Sequence, residues 1–142
     1  MSVSDSIQNR PPNNQTKRIE KHIILTPIVE SDEINKILNA RIVFKLECNQ
    51  ITGSFKIRGA LNKILQLSEV EKLRGIVAYS SGNHGQAVAY AAKIANIDAV
   101  IVMPSDAPNI KIENTNKHGA KVILYDRKNE NREQIAEKIA KD

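Results

Sequence analysis

Apolar positions along the chain fall into two patterns, and their alternation predicts the elements. Short runs rich in β-branched residues occur at "RIVFKLE" (41–47), "GIVAYS" (75–80), "AVIVMP" (99–104) and "KVILYD" (121–126), mostly bounded by Gly, Pro or polar residues; they predict four strands. They are runs more than strict alternations, so both faces of their sheet are expected to be covered. Between them the spacing turns helical. Ile57, Ala60, Leu61, Ile64 and Leu65 recur as one buried helix face, and "GQAVAYAAKIA" (85–95) offers the small residues Ala87, Ala91, Ala92 and Ala95 for close approach to a sheet. "APNIKIENTNKHG" (107–119) starts at Pro108 and stops at Gly119 with a thin apolar face, and "ENREQIAEKIAKD" (130–142) places Ile135, Ala136, Ile139 and Ala140 on one side. Upstream, "IILTPIV" (23–29) is apolar around a Thr-Pro turn, and "SDEINKILNA" (31–40) predicts a short helix with Ser31 as its N-cap.

Strand alternating with helix predicts an α/β fold: a parallel sheet of about four strands with flanking helices in three layers. Residues 1–22, rich in Ser, Asn, Gln and Pro, predict a flexible polar tail, and 23–142 a single domain. The last helix reaches the end of the sequence without a following strand, so the architecture is expected to be truncated.

Composition narrows the function class. With 142 residues, 41% hydrophobic and 26% charged, the chain can bury a true core. Its 21 Lys and Arg against 16 Asp and Glu give +5, but the basic residues are scattered and only two Phe, three Tyr and no Trp accompany them. Neither a basic stripe nor a stacking platform results, and nucleic acid is not expected as a partner. One cysteine, Cys48, excludes an internal disulfide and fits a reducing, cytoplasmic setting; without a nearby His or Cys it is expected to be a small buried apolar residue. The N-terminus lacks the apolar core of a secretory signal, and no run approaches the roughly 20 apolar residues of a membrane span.

Two stretches carry candidate chemistry. In "TGSFKIRGALNKIL" (52–65) Lys56 and Arg58 stand in the opening turn of a helix, the end where the dipole opposes cations. An amine kept there at a cost is a candidate nucleophile toward carbonyls and a covalent attachment point, although a solvated surface lysine would satisfy the same pattern. In "AYSSGNHGQA" (78–87) a strand turns into a helix, and Ser80, Ser81, Gly82, Asn83, Gly85 and Gln86 surround the turn with backbone N–H groups, hydroxyls and amides, an arrangement suited either to an anion or to simple capping. His22, His84 and His118 have no metal-ligand spacing, and neither "GxxxxGK[ST]" nor "GxGxxG" occurs.

Together, "ECNQITGSFKIRGA" (47–60) and "SSGNHGQAVAYAAK" (80–93), with "LTPIVES", "FKLE", "VMPSDAPNIK" and "HGAKVILYD" at similar spacing, resemble the fold-type II pyridoxal-phosphate enzymes, in their threonine/serine dehydratase and serine racemase branch. The resemblance implies pyridoxal 5′-phosphate as cofactor, carried on Lys56, with Phe55 against its ring and Asn83 hydrogen-bonding its 3′-oxygen. It implies that Ser80, Ser81, Gly82, Asn83 and His84 bind the substrate carboxylate and that Ser81 is an acid or base on the face opposite Lys56. The expected activity is an ammonia-lyase (dehydratase) converting L-threonine to 2-oxobutanoate, or L-serine to pyruvate, with ammonia. Serine racemisation is the alternative, and a truncated binding module without catalysis a further one. The cysteine synthase type, with Thr-Ser-Gly-Asn-Thr-Gly and Lys-Asp-Arg, is disfavoured by "SSGNHG" and "KIRGA" here.

Family members continue into a larger domain with a Gly-rich loop for the cofactor phosphate. After Gly85 only Gly119 remains, so no glycine cluster here can serve as that loop. The partners implied are a small hydroxy amino acid and either further copies of the chain in a homo-oligomer or a missing C-terminal portion that completes the site.

Overall fold

The computed structural model describes residues 14–141; the expected tail over 1–13 lies outside the described residues. That tail was expected to run to residue 22, yet α1 (Asn14–Ile19) and a 3-10 turn (Glu20–His22) are helical. Ile19 supplies the anchor: it is buried in the core, and Arg18 donates from its guanidinium to Asn62 Oδ1.

The next elements form a separate ribbon. β1 (Ile28–Glu30) pairs antiparallel with β2 (Val43–Lys45), Val29 opposite Phe44, across α2 (Asp32–Leu38). The 41–47 run, expected in the parallel sheet, therefore belongs elsewhere. Its partner is chosen by hydrogen bonds that close the α2 excursion: Arg41 donates to both Glu30 oxygens at 2.9 Å, Asn35 Nδ2 donates to Glu30 Oε1 at 2.8 Å, and Ile42 N donates to Asn35 Oδ1 at 2.7 Å. Ser31 caps α2 as expected, its Oγ accepting from Ile34 N.

After a 3-10 turn (Glu47–Asn49), α3 (Lys56–Ile64) is followed by α4 (Glu69–Arg74), which the hydrophobic pattern did not predict. A capping box makes α4: Ser68 Oγ accepts from Glu71 N while Glu71 Oε2 accepts from Ser68 N at 2.8 Å. Then β3 (Ile76–Tyr79), α5 (Asn83–Ala95), β4 (Ala99–Pro104), α6 (Asn109–Lys117), β5 (Lys121–Tyr125) and α7 (Arg132–Lys141) follow. The sheet has the order β3-β4-β5, all parallel, so three of the four expected strands form it.

Three layers result, with both sheet faces covered as the apolar runs required. Ile76, Ala78, Ile101, Met103 and Val122 pack toward α3 and α5, where Ile57, Ala60, Leu61, Ala87, Ala91 and Ala92 complete the main core. Val77, Val102 and Tyr125 face the other way onto Ile135, Ala136 and Ile139 of α7. Ile57, Leu61, Ile101 and Met103 are fully buried, each such side chain contributing about 1.5–3 kcal/mol of transfer free energy. The thin face of α6 holds through Ile112 and through Thr115, buried with its Oγ1 donating to Lys111 O at 2.7 Å.

Apolar side chains also stay exposed: Leu25 is 77% and Leu73 88% accessible. Cys48 is exposed too, not buried as its isolation in the sequence suggested, because the 3-10 turn carrying it lies at the surface. Among the described residues no helix is long and apolar enough to cross a membrane.

Candidate active site

Lys56 is placed by a loop tied down on both sides. Gln50, buried, clasps the backbone of Ile24, its Oε1 accepting from Ile24 N at 2.9 Å and its Nε2 donating to Ile24 O at 2.8 Å. Gly53 then turns with φ +69°, its N–H donating to Gln50 O at 2.7 Å, a left-handed backbone that favours glycine. Lys56 begins α3 and is exposed, its Nζ 5.1 Å from the centroid of the half-exposed Phe55 ring. No side chain caps this helix start.

Arg58, in the same opening turn as Lys56, is committed elsewhere. Its Nε donates to Glu47 Oε2 at 2.9 Å and its Nη2 to Glu47 Oε1 at 2.8 Å, while Thr26 Oγ1 adds a third hydrogen bond at 2.6 Å. The Arg58 hydrogen bonds chiefly hold the Glu47 carboxyl below its ordinary range; Thr26 and the charges of Arg58 and Lys45 add to this, against partial burial that pushes it up. Lys56, by contrast, takes part in none of the ion pairs among the described residues.

The second half of the site follows β3. Ser80 N continues the ladder to Val102 O at 3.0 Å, and Gly82 N donates to Ser80 Oγ at 3.2 Å, tightening the turn into α5. Gly82 precedes α5 without a side-chain cap, and the first-turn N–H groups of a helix have no partner within it. A Cβ at Gly82 would meet nothing within 4 Å, so this side of the turn is open. Gly85 serves packing: a Cβ there would lie 3.0 Å from Ile101 Cγ2 and 3.3 Å from Ser80 Cβ, so glycine lets α5 seat against β4. Asn83 is exposed, and its Oδ1 accepts from Lys111 Nζ of α6 at 2.7 Å.

Packing of α3 on α5 brings the halves together. The effect registers at His84, whose imidazole is held below its ordinary value first by partial burial and then by the positive charge of Lys56. Among the described residues three buried side-chain atoms lack a hydrogen-bond partner, Thr52 Oγ1, Ser54 Oγ and Gln86 Nε2, and all three belong to these two stretches. Lys56, Phe55, Ser80, Ser81, Gly82, Asn83 and His84 therefore belong to neighbouring segments. Lys111 escaped the sequence reading: it stands 28 positions from Asn83 and no local motif joins them. Among the described residues no cluster of three or more His, Cys, Asp or Glu could hold a metal. His118 stacks edge-on against Tyr90, ring centroids 5.2 Å apart.

Residues 19–142 match the family described as "Pyridoxal-phosphate dependent enzyme". The chain is 45% identical over 125 residues to L-threo-3-hydroxyaspartate ammonia-lyase of Saccharomyces cerevisiae, covering 88% of this chain and 38% of that protein. It is equally 45% identical over 125 residues to serine racemase of Schizosaccharomyces pombe, covering 88% and 39%. The structure of maize serine racemase superposes with a TM-score of 0.85 at 38% identity, covering 97% of this chain and 40% of that one. The chain thus spans about two fifths of the length of these relatives. It belongs to the fold-type II pyridoxal-phosphate-dependent enzymes, in the branch that holds the serine racemases and hydroxyaspartate ammonia-lyases.

Proposed function

We propose that the chain forms the lysine-bearing and carboxylate-binding side of a pyridoxal-phosphate enzyme that racemises serine. The observation carrying this reading is the packing of α3 on α5, which sets the exposed Lys56 at the start of α3 and the start of α5, both starts without a side-chain cap, on neighbouring segments. The residues present fit the cofactor: Lys56 Nζ is exposed and outside the ion pairs, the Phe55 ring stands beside it, and the space at Gly82 is open. When bound, pyridoxal phosphate supplies a ring that spreads the charge left on the substrate Cα after its proton departs.

The chain's own residues do the rest. Lys56 Nζ would hold the cofactor and, as a free amine, would take the substrate Cα proton as a general base. The Ser80–His84 turn receives the carboxylate on backbone N–H groups at the positive end of α5, fixing which face of Cα meets Lys56. Ser81 Oγ returns a proton to the opposite face, inverting the centre. A single base suffices for loss of the β-hydroxyl, so ammonia-lyase activity on serine or threonine is the second reading, favoured by the ammonia-lyase among the relatives. The sequence put these in the other order; the serine racemases among the relatives support the present one.

The test is the absorption spectrum of the chain with pyridoxal phosphate before and after borohydride, comparing wild type with Lys56→Ala, followed by chiral analysis of serine. Cofactor trapped on Lys56 and D-serine formed from L-serine support the proposal. Identical spectra for the two proteins overturn it, and pyruvate without D-serine selects the lyase.

A further inference from the structure

We propose that Lys111 is a positioning residue that fixes and polarises the Asn83 side chain so that its NH2 group faces the cofactor; the cofactor part of this inference rests on the function proposed above. Lys111 Nζ lies 2.7 Å from Asn83 Oδ1, joining α6 to the first residue of α5. An ammonium only donates, so the atom facing it must be the amide carbonyl. This assigns the orientation of Asn83 on chemical grounds and turns its two N–H donors away from Lys111.

Lys111 is not explained by its own helix. It stands in the first turn of α6, a turn without an acidic residue, and there the dipole opposes a cation. Nor does it take part in any ion pair among the described residues. Its backbone is nonetheless held firmly, Lys111 N donating to Pro108 O at 2.8 Å and the fully buried Thr115 donating to Lys111 O. A fixed stem carries a charge whose protein partner is a neutral amide.

A cation on the carbonyl of an amide draws electron density from its nitrogen and strengthens its N–H donors, since chained hydrogen bonds polarise one another. The acceptor such a donor favours is an anionic oxygen. The start of α5 adds unpartnered backbone N–H groups. Lys111 would thus favour an ionised oxygen opposite Asn83, the 3′-oxygen of pyridoxal phosphate in the proposed function, without touching it.

The experiment compares wild type, Lys111→Met, Lys111→Arg and Lys117→Met, the last removing one charge from the far end of the same helix. Without cofactor, the side-chain NH2 resonances of Asn83 are followed by 1H–15N NMR; with pyridoxal phosphate, its affinity and the pH dependence of its visible band are measured. Expected for Lys111→Met are shifted Asn83 resonances, about tenfold weaker cofactor binding, the equivalent of one lost charge-assisted hydrogen bond, and a displaced spectral titration. Lys111→Arg restores most of each, and Lys117→Met changes none. Unchanged Asn83 resonances in Lys111→Met overturn the pairing. Normal affinity and an unchanged spectral titration overturn the role toward the cofactor. If wild type itself fails to bind pyridoxal phosphate, the proposed function falls, while the cofactor-free NMR comparison still decides whether Lys111 orients Asn83.

Discussion

Two glycines three positions apart should respond oppositely to the same methyl group. At Gly85 a new Cβ would sit 3.0 Å from Ile101 Cγ2 and 3.3 Å from Ser80 Cβ. Ile101 is fully buried and β-branched, with little rotamer freedom to withdraw that methyl, so the strain passes to the backbone of α5. Overpacking of this kind costs about 1–3 kcal/mol, offset by up to about 1 kcal/mol of alanine's helix propensity. Gly85→Ala should therefore lose about 1–2 kcal/mol, seen in urea unfolding as a midpoint lower by about 0.5–1 M for a typical slope near 2 kcal/mol/M. At Gly82 no atom lies within 4 Å of the new Cβ and φ is extended, so Gly82→Ala should change stability by less than about 0.5 kcal/mol while narrowing the open side of the turn. In a cycle with Ile101→Ala, the Gly85 penalty should shrink, since the atom it meets has gone. A stable Gly85→Ala protein, or equal losses at both glycines, would refute the account of how α5 is seated.

Two further outcomes follow from the charges. His84, held low by burial and then by Lys56, should titrate at higher pH in Lys56→Met when followed by NMR, recovering the part due to charge; an unmoved midpoint would separate the two halves of the site. Because folding lowers its proton affinity, the stability linked to His84 is present above its unfolded value of about 6.5 and is lost as pH falls through the folded one. Glu47 is likewise lowered by folding, so its contribution holds above about pH 4.3 and disappears as pH falls through its folded value. Glu47→Gln should cost roughly 1 kcal/mol at neutral pH, after allowing for solvent screening, and flatten thermal stability across the acid range. An unchanged acid limb would show that Arg58 and Thr26 do not depend on that carboxylate.

Local pattern alone determined much of this molecule. The β-branched runs at 76–79, 99–104 and 121–125 could only be buried as strands, and the spacing from Ile57 to Ile64 could only present one helix face to them. The misplaced cation at Lys56 and the polar turn after β3 were visible because each breaks a rule of local helix chemistry. The capping box of α4 was legible as Ser68 and Glu71 three apart, but it lies outside the hydrophobic pattern.

Tertiary structure decided which runs pair and which charges are spoken for. The 43–45 strand reads like its neighbours yet joins Ile28–Glu30, because pairing depends on hydrogen bonds such as Arg41 to Glu30 that no window of apolar residues contains. Residues 14–19 are helical because one side chain, Ile19, reaches the core. Arg58 belongs to Glu47, Gly85 makes room for Ile101, and Lys111 reaches Asn83. Sequence fixes periodicity within an element, whereas contact between side chains far apart in the chain exists only once those elements have packed.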